Sequence, residues 1–306
     1  MDTRKNFLLL PPRLRPGDTI GIAAPASPFD RSKFDEGVGI LESMGFRTFV
    51  PDDLFKKEGY LAGPDFHRAG IVNRLFADPS IKAIACARGG FGSLRMLSSL
   101  DFRTILEKPK IFIGFSDITA VLSVLYTKCG LVTFHGPTVA TLSDVTPETK
   151  RAMLLALTSE IPPEVRPQKG VTLRPGSALA PVMCGNLTTL CHLVGTPFEP
   201  CLKGHILILE DRGEASYRID RMLTQMKIAG CFDGIAGLVL GSFESCGPIN
   251  EIFEIVDNIF NEDSIPILAG FDVGHGRNNF TIPLGIHATL DAVNHSLTFH
   301  ESPTAG

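Results

Sequence analysis

The chain has 306 residues, 44% hydrophobic and 20% charged, with a mean hydropathy of +0.17. That is too apolar for a disordered chain and longer than one average domain, so a folded protein of two domains is expected. Twenty-nine Lys and Arg against 33 Asp and Glu leave a net charge of −4, and no basic tract disturbs the balance, which argues against nucleic acid or an anionic membrane as partner.

Arg4 and Lys5 followed by Phe7 to Leu10 start like a secretory leader, but Pro11, Pro12 and Arg13 end the apolar run. A leader needs an apolar core of roughly 7 to 15 residues. No window reaches the ~20 continuous apolar residues of a membrane span, so a soluble, cytoplasmic protein is expected. Seven cysteines, at 86, 129, 184, 191, 201, 231 and 246, form no C-x-x-C pair and lie mostly in apolar runs. They predict reduced, buried thiols rather than a disulfide frame.

From Thr19 onward, short apolar runs alternate with helix-period segments, the pattern of parallel strands joined by crossover helices. Thr19 to Ala24 reads as the first strand. A helix after Pro28 carries Phe34, Val38, Ile40, Leu41 and Met44 and stops at Gly45, and Arg47 to Val50 returns as strand. His67 to Phe76 then reads as helix, Lys82 to Ala87 as strand, Ser93 to Leu100 as helix, Ile111 to Gly114 as strand, and Ile118 to Tyr126 as helix closing near Gly130. The expected fold of residues 1–160 is a doubly wound parallel sheet of the Rossmann or flavodoxin kind.

Residues 161–176 collect Pro162, Pro163, Pro167, Gly170, Pro175 and Gly176 without an apolar period, which marks a linker. In residues 177–306, His205 to Leu209 and Ile235 to Leu240 read as strands, and Tyr217 to Ile228 and Ile252 to Phe260 as helices. Thr281 to Ile282, Ile286 to Leu290 and Ser296 to His300 read as the short strands of a closing β meander. The second domain is thus also expected to be α/β.

The junction Ile111-Phe112-Ile113-Gly114-Phe115-Ser116-Asp117-Ile118-Thr119 runs a buried strand into a helix with a serine at the turn. Ligands of open α/β sheets bind beyond the carboxyl ends of strands, where helix-start N–H groups and dipoles gather, so Ser116 is placed as a nucleophile would be. It is a variant of the G-x-S-x-G elbow, since isoleucine stands at position 118, and Ser116 as a simple helix cap is the competing reading. A serine needs a base, and His275 stands out among eight histidines because Gly274 and Gly276 flank it in a loop free to approach a cleft. Glu210, Asp211 and Glu214, at the end of the strand Ile206 to Leu209, can each orient an imidazole or merely solvate the turn.

The loop Cys86-Ala87-Arg88-Gly89-Gly90-Phe91-Gly92-Ser93 follows a strand and opens a helix, so its backbone N–H groups can form an anion nest, whether an oxyanion hole or a phosphate cradle. It fits neither G-x-G-x-x-G nor the P-loop pattern, and no cofactor is expected. Cys86, enclosed in Ala-Cys-Ala, reads as an inert core thiol. No H-E-x-x-H occurs and the histidines lack ligand spacing, so no metal is expected either.

Together these segments resemble the LD-carboxypeptidase family of serine peptidases, or murein tetrapeptide carboxypeptidases, whose relatives include microcin-immunity peptidases. The resemblance runs from Arg15-Pro16-Gly17-Asp18 and Ile20 to Pro25 through Arg88-Gly89-Gly90-Phe91-Gly92, Gly114-Phe115-Ser116-Asp117, Gly185-Asn186-Leu187 and Leu209-Glu210-Asp211. It continues with Tyr217-Arg218-Ile219-Asp220-Arg221, Gly241-Ser242-Phe243, Gly274-His275-Gly276 and Leu284-Gly285. The resemblance implies a triad of Ser116, Glu210 and His275 lying between the domains, with Glu214 the lesser choice, and an oxyanion hole from the N–H groups of Gly90 and Asp117. It implies a cytoplasmic, metal-independent homodimer that releases terminal D-alanine from murein tetrapeptides during cell-wall recycling. Arg88, Asn186 and Arg277 are the motif residues that can bind the substrate's terminal carboxylate. Two other functions compete: an amidase that detoxifies a peptide-nucleotide antibiotic, disfavoured by the absence of Trp and the presence of only three Tyr, and a non-catalytic small-anion-binding protein.

Overall fold

In the computed structural model, which describes residues 8–306, the first half of the chain builds one parallel sheet and its covering helices. Arg4, Lys5 and Phe7 of the leader-like start lie outside the described residues. In chain order the elements are β1 (Thr19–Ala23), α1 (Arg31–Ser43), β2 (Arg47–Phe49), α2 (Asp65–Ala77), β3 (Ile81–Cys86), α3 (Ser93–Met96), α4 (Phe102–Glu107), β4 (Ile111–Gly114), α5 (Thr119–Cys129) and β5 (Phe134–His135). The Asp30 carboxylate caps α1 by accepting from Lys33 N, and left-handed Gly45 and Gly130 follow the ends of α1 and α5. Strand β4 is buried along its whole length, and full burial of a side chain such as Phe112 contributes roughly 1.5 to 3 kcal/mol.

The second half adds α6 (Pro147–Thr158), β6 (Glu164–Val165), β7 (Val171–Arg174), β8 (Ser177–Asn186), α7 (Leu187–Leu193), β9 (Ile206–Arg212), α8 (Ser216–Ile228), β10 (Gly237–Glu244), α9 (Ile249–Ile259), β11 (Ile267–Ala269), β12 (Ile282–Pro283), β13 (His287–Asp291) and β14 (Ser296–Phe299). The first sheet has the order β12-β5-β4-β3-β1-β2. Its five N-terminal strands are parallel in a flavodoxin-like order, so the architecture is α/β with a doubly wound N-terminal sheet. The second sheet runs β6-β14-β13-β8-β9-β10-β11-β7, with a parallel centre from β8 to β11 and antiparallel flanks.

Three elements differ from the sequence reading. The stretch 161–176 is not a bare linker, because β6 and β7 within it close the two opposite edges of the second sheet. Ile282 and its neighbour belong to no C-terminal meander: β12 pairs antiparallel with β5, Ile282 opposite His135, and so crosses to the first sheet. The longest strand, β8, contains Pro181, which ordinarily argues against a central strand. Here the proline sits where the strand changes partners, residues 177–181 facing β13 and residues 182–186 facing β9. Of the cysteines, Cys201 is exposed and Cys231 half-buried, while the other five are buried; all seven are free thiols. No described helix is long and apolar enough to cross a membrane.

Candidate active site

The carboxyl ends of β1, β3 and β4 lie side by side in the first sheet, and the turns that leave them form one wall of a cleft. After Phe115, extended at φ −153°, the chain turns sharply and Ser116 adopts φ +64°. A left-handed serine is strained backbone, held in place by the buried strand before it and the helix after it. The Ser116 hydroxyl does not cap the following helix; its hydrogen bond is to His275 Nε2 at 3.0 Å.

The other wall comes from the second sheet. Glu210 lies within β9, fully buried, and its Oε2 is 2.6 Å from His275 Nδ1, while among the described residues Oε1 has no partner. Glu214 instead pairs with Arg218 and Asp211 holds the start of α7, so of the three acidic candidates only Glu210 meets the imidazole. The approach is possible because residue 274 is glycine at φ +108°: a Cβ there would stand 2.3 Å from Glu210 Oε2. His275 rides the loop between β11 and β12, the segment that leaves one sheet and joins the other. Ser242 Oγ braces this loop by accepting from Gly276 N and donating to Val273 O, both at 3.1 Å. From the first half of the chain, Thr149 Oγ1 accepts from Asn279 N at 3.1 Å, Thr146 Oγ1 donates to Asn278 Oδ1 at 2.7 Å, and the Phe115 ring packs 4.9 Å from the imidazole.

The glycine-rich loop passes beside the serine. A Cβ on Gly89 would lie 2.8 Å from Ser116 Cβ, so only glycine lets the backbone come this close. Phe91 N donates to Ser27 Oγ at 3.0 Å, and Ser93 N donates to Asp117 Oδ2 at 2.8 Å, which ties the loop to the β1 turn and to the serine turn. Among the described residues, the Gly90 and Asp117 N–H groups have no acceptor.

Residues 20–136 match the LD-carboxypeptidase N-terminal domain, and residues 180–290 match the LD-carboxypeptidase C-terminal domain. The chain is 35% identical to the probable murein peptide carboxypeptidase of Bacillus subtilis over 97% of its own length and 96% of that protein's. The chain belongs to the LD-carboxypeptidase family. It is also 32% identical to the murein tetrapeptide carboxypeptidase of Pseudomonas aeruginosa, over 89% of this chain and 92% of that one. The crystal structure of an MccF-like protein from Bacillus anthracis superimposes with a TM-score of 0.91 at 29% identity, covering 96% of this chain and 99% of that chain.

Within this LD-carboxypeptidase framework, the three residues suggested for carboxylate binding separate. Arg88 and Arg277 are exposed, each within two residues of a site group, and Arg88 donates to Pro28 O. Asn186 is 6% exposed and spent inside the fold: its amide donates to Asp211 Oδ1, and its oxygen accepts from Thr189 N and Oγ1, capping α7. Its position in a motif reflects that cap, together with the bond from Asn186 N to Thr119 Oγ1 that fastens β8 to α5. Sequence reasoning assigned no role to Ser27, Thr149, Ser242 or Asn279, which hold the two loops. Only Ser242 had a signal, lying in the Gly241-Ser242-Phe243 motif.

One further histidine belongs to these surroundings. His135 in β5 is fully buried, its ring 6.0 Å from that of Phe115, and among the described residues neither ring nitrogen has a partner. Burial, assisted by the nearby His275, pushes its pKa down to about 3, so it is neutral at ordinary pH.

Proposed function

We propose that this protein is a serine carboxypeptidase that releases the terminal D-alanine of murein tetrapeptides by cleaving the bond between an L-configured centre and that residue. The observation that carries the reading is the hydrogen-bonded series in which His275 reaches Ser116 Oγ at 3.0 Å and Glu210 at 2.6 Å. In this reading His275 takes the hydroxyl proton as Ser116 attacks the scissile carbonyl, and Glu210 holds the tautomer and stabilises the imidazolium. The Gly90 and Asp117 N–H groups receive the developing oxyanion. The imidazolium then protonates the leaving amine of D-alanine, and water, activated by the same histidine, releases the acyl group from Ser116. The names of the Bacillus subtilis and Pseudomonas aeruginosa relatives support murein peptides as the substrate class.

In this reading the N-terminal domain spans residues 1–160, and residues 161–176 lead into the domain of residues 177–306 while giving β6 and β7 to its sheet; the family segments fall on either side of that stretch. It includes a cytoplasmic location and a homodimer, which the family resemblance supports and sedimentation of the purified protein tests for assembly. The deciding experiment is D-alanine release from a murein tetrapeptide by wild type and Ser116→Ala, with a chelator present. Release by wild type alone is expected. Release by a folded Ser116→Ala protein removes the central claim, and no release by either, with cleavage of an aminoacyl-nucleotide amide by the wild type, transfers the reading to a detoxifying amidase.

A further inference from the structure

Arg68 lies on α2 and is fully buried, the largest such side chain in the molecule among the described residues. Placing a guanidinium where water cannot reach it costs several kcal/mol unless every donor finds a partner, and a hydrophobic side chain would fill the same volume without that cost. Its contacts are specific. Nη1 donates to Gly92 O at 2.8 Å and to Pro25 O, Nε donates to Gly63 O at 3.1 Å, and Nη2 pairs with Asp65, which is itself held by Arg95 Nε at 3.0 Å. Pro25 belongs to the turn leaving β1, and Gly92 closes the glycine-rich loop leaving β3. Nη1 alone therefore bridges the two turns, and Nε and Nη2, anchored on Gly63 O and Asp65, fix the direction in which it donates. Between its anchor points run Ser27 N to Gly89 O at 3.3 Å, Phe91 N to Ser27 Oγ at 3.0 Å, and Gly90, whose N–H has no acceptor among the described residues.

We propose that Arg68 is a positioning residue for the oxyanion loop, setting the height of the Gly90 N–H over Ser116 by holding the Pro25 and Gly92 carbonyls on the Nη1 of a guanidinium whose other nitrogens are fixed by Gly63 and Asp65. This rests on the reading of Ser116 and Gly90 given above. A lysine keeps the charge and can donate to two carbonyls, but it lacks the planar group whose Nε and Nη2, held by Gly63 O and Asp65, fix the directions of the bonds to Pro25 and Gly92. The height matters because a displacement of about 1 Å at a reacting centre costs on the order of 100-fold in rate.

The test compares Arg68→Lys and Arg68→Gln with wild type by two readouts. The first is kcat and KM for D-alanine release. The second is the rate at which a small alkyl fluorophosphonate labels Ser116, a reaction that forms the Oγ–P bond, expels fluoride and gives the hydroxyl proton to His275. Labelling needs the nucleophile and the oxyanion donors but no peptide recognition. The expected result is labelling and kcat both lowered roughly 10- to 100-fold, with KM within about 3-fold of wild type, as for an interaction made only in the transition state. Unchanged labelling in either folded variant overturns the proposal. Unfolding of both variants, or parallel loss of KM, kcat and thermal stability, also overturns it, because the guanidinium then serves the whole fold. Fast wild-type labelling without D-alanine release would fault the substrate reading and leave the role of Arg68 to be decided by labelling alone.

Discussion

Glu210→Gln removes a single negative charge from behind His275 and leaves an oxygen that can still accept from Nδ1. The carboxylate is fully buried and lies 2.6 Å from the imidazole nitrogen, so solvent does little to screen the interaction that appears when the ring becomes charged. For charge centres about 4 Å apart at an effective dielectric of ~20, the attraction is ~4 kcal/mol. That amount is about a thousandfold in rate. If the amide turns its NH2 group toward Nδ1, the ring proton moves to Nε2 and the lone pair facing Ser116 is lost, which takes the expected loss toward ~10,000-fold. Stability should move the other way. Among the described residues the wild-type carboxylate keeps Oε1 without a partner at a site of no solvent exposure, so a neutral amide relieves a desolvation cost. The assay is kcat for D-alanine release with a thermal melt of the same sample, and the expected result is a thousandfold lower kcat at an equal or higher melting temperature. Turnover within tenfold of wild type would refute the electrostatic role of Glu210, and so would a loss of activity that merely follows unfolding.

Gly89→Ala places a methyl group 2.8 Å from Ser116 Cβ and 3.1 Å from its Oγ; kcat should fall ~100-fold while the melting temperature changes little, and normal turnover would contradict the close approach. His135, with its pKa held near 3, binds a proton in the unfolded chain below about pH 6.5 but not in the folded one. Stability is therefore lost as pH falls from about 6.5 toward 3, by ~2 kcal/mol at pH 5. In urea titrations at pH 7 and pH 5, His135→Leu should lose correspondingly less stability than wild type, and an equal loss would disprove the assignment. Arg88→Ala or Arg277→Ala should raise KM about tenfold for a substrate ending in a free carboxylate and leave its C-terminal amide unaffected. If neither variant alters KM, the carboxylate is bound elsewhere.

The alternating runs of the first half were legible because β1, β3 and β4 are buried over nearly their whole length and bounded by turn residues, while the exposed β2 is marked by its place after Gly45. The serine turn was legible for the same reason, as a buried strand ending abruptly at a small polar residue. Strand β5 was missed because two residues carry no periodicity, and β12 was misplaced because its partner lies 147 positions earlier, a pairing that no local pattern encodes. Pro181 concealed β8. Helix α6 was also missed, although Thr146 followed by Pro147, a cap and a first-turn proline, marks its start. The three positions of the proposed triad were each marked by their turns and by family resemblance, yet the choice among Glu210, Asp211 and Glu214 depends on which side chain points at His275, a property of the assembled sheets. Arg68 left its own trace, as a charge among the apolar residues of the buried face of α2.

Ser116 and His275 are separated by 159 positions in the chain, and the strand that anchors the histidine loop must find an edge built from the first half. A ribosome adding ~5 to 20 residues per second exposes the serine turn roughly 10 to 30 s before the histidine is even made. Through that interval Ser116, the proposed nucleophile, lacks the proposed base His275, and until Ile206–Arg212 is made it lacks Glu210 as well. In the proposed reading, hydrolytic competence therefore begins only once the strands of the second sheet have been made, a delay written into the order of the strands.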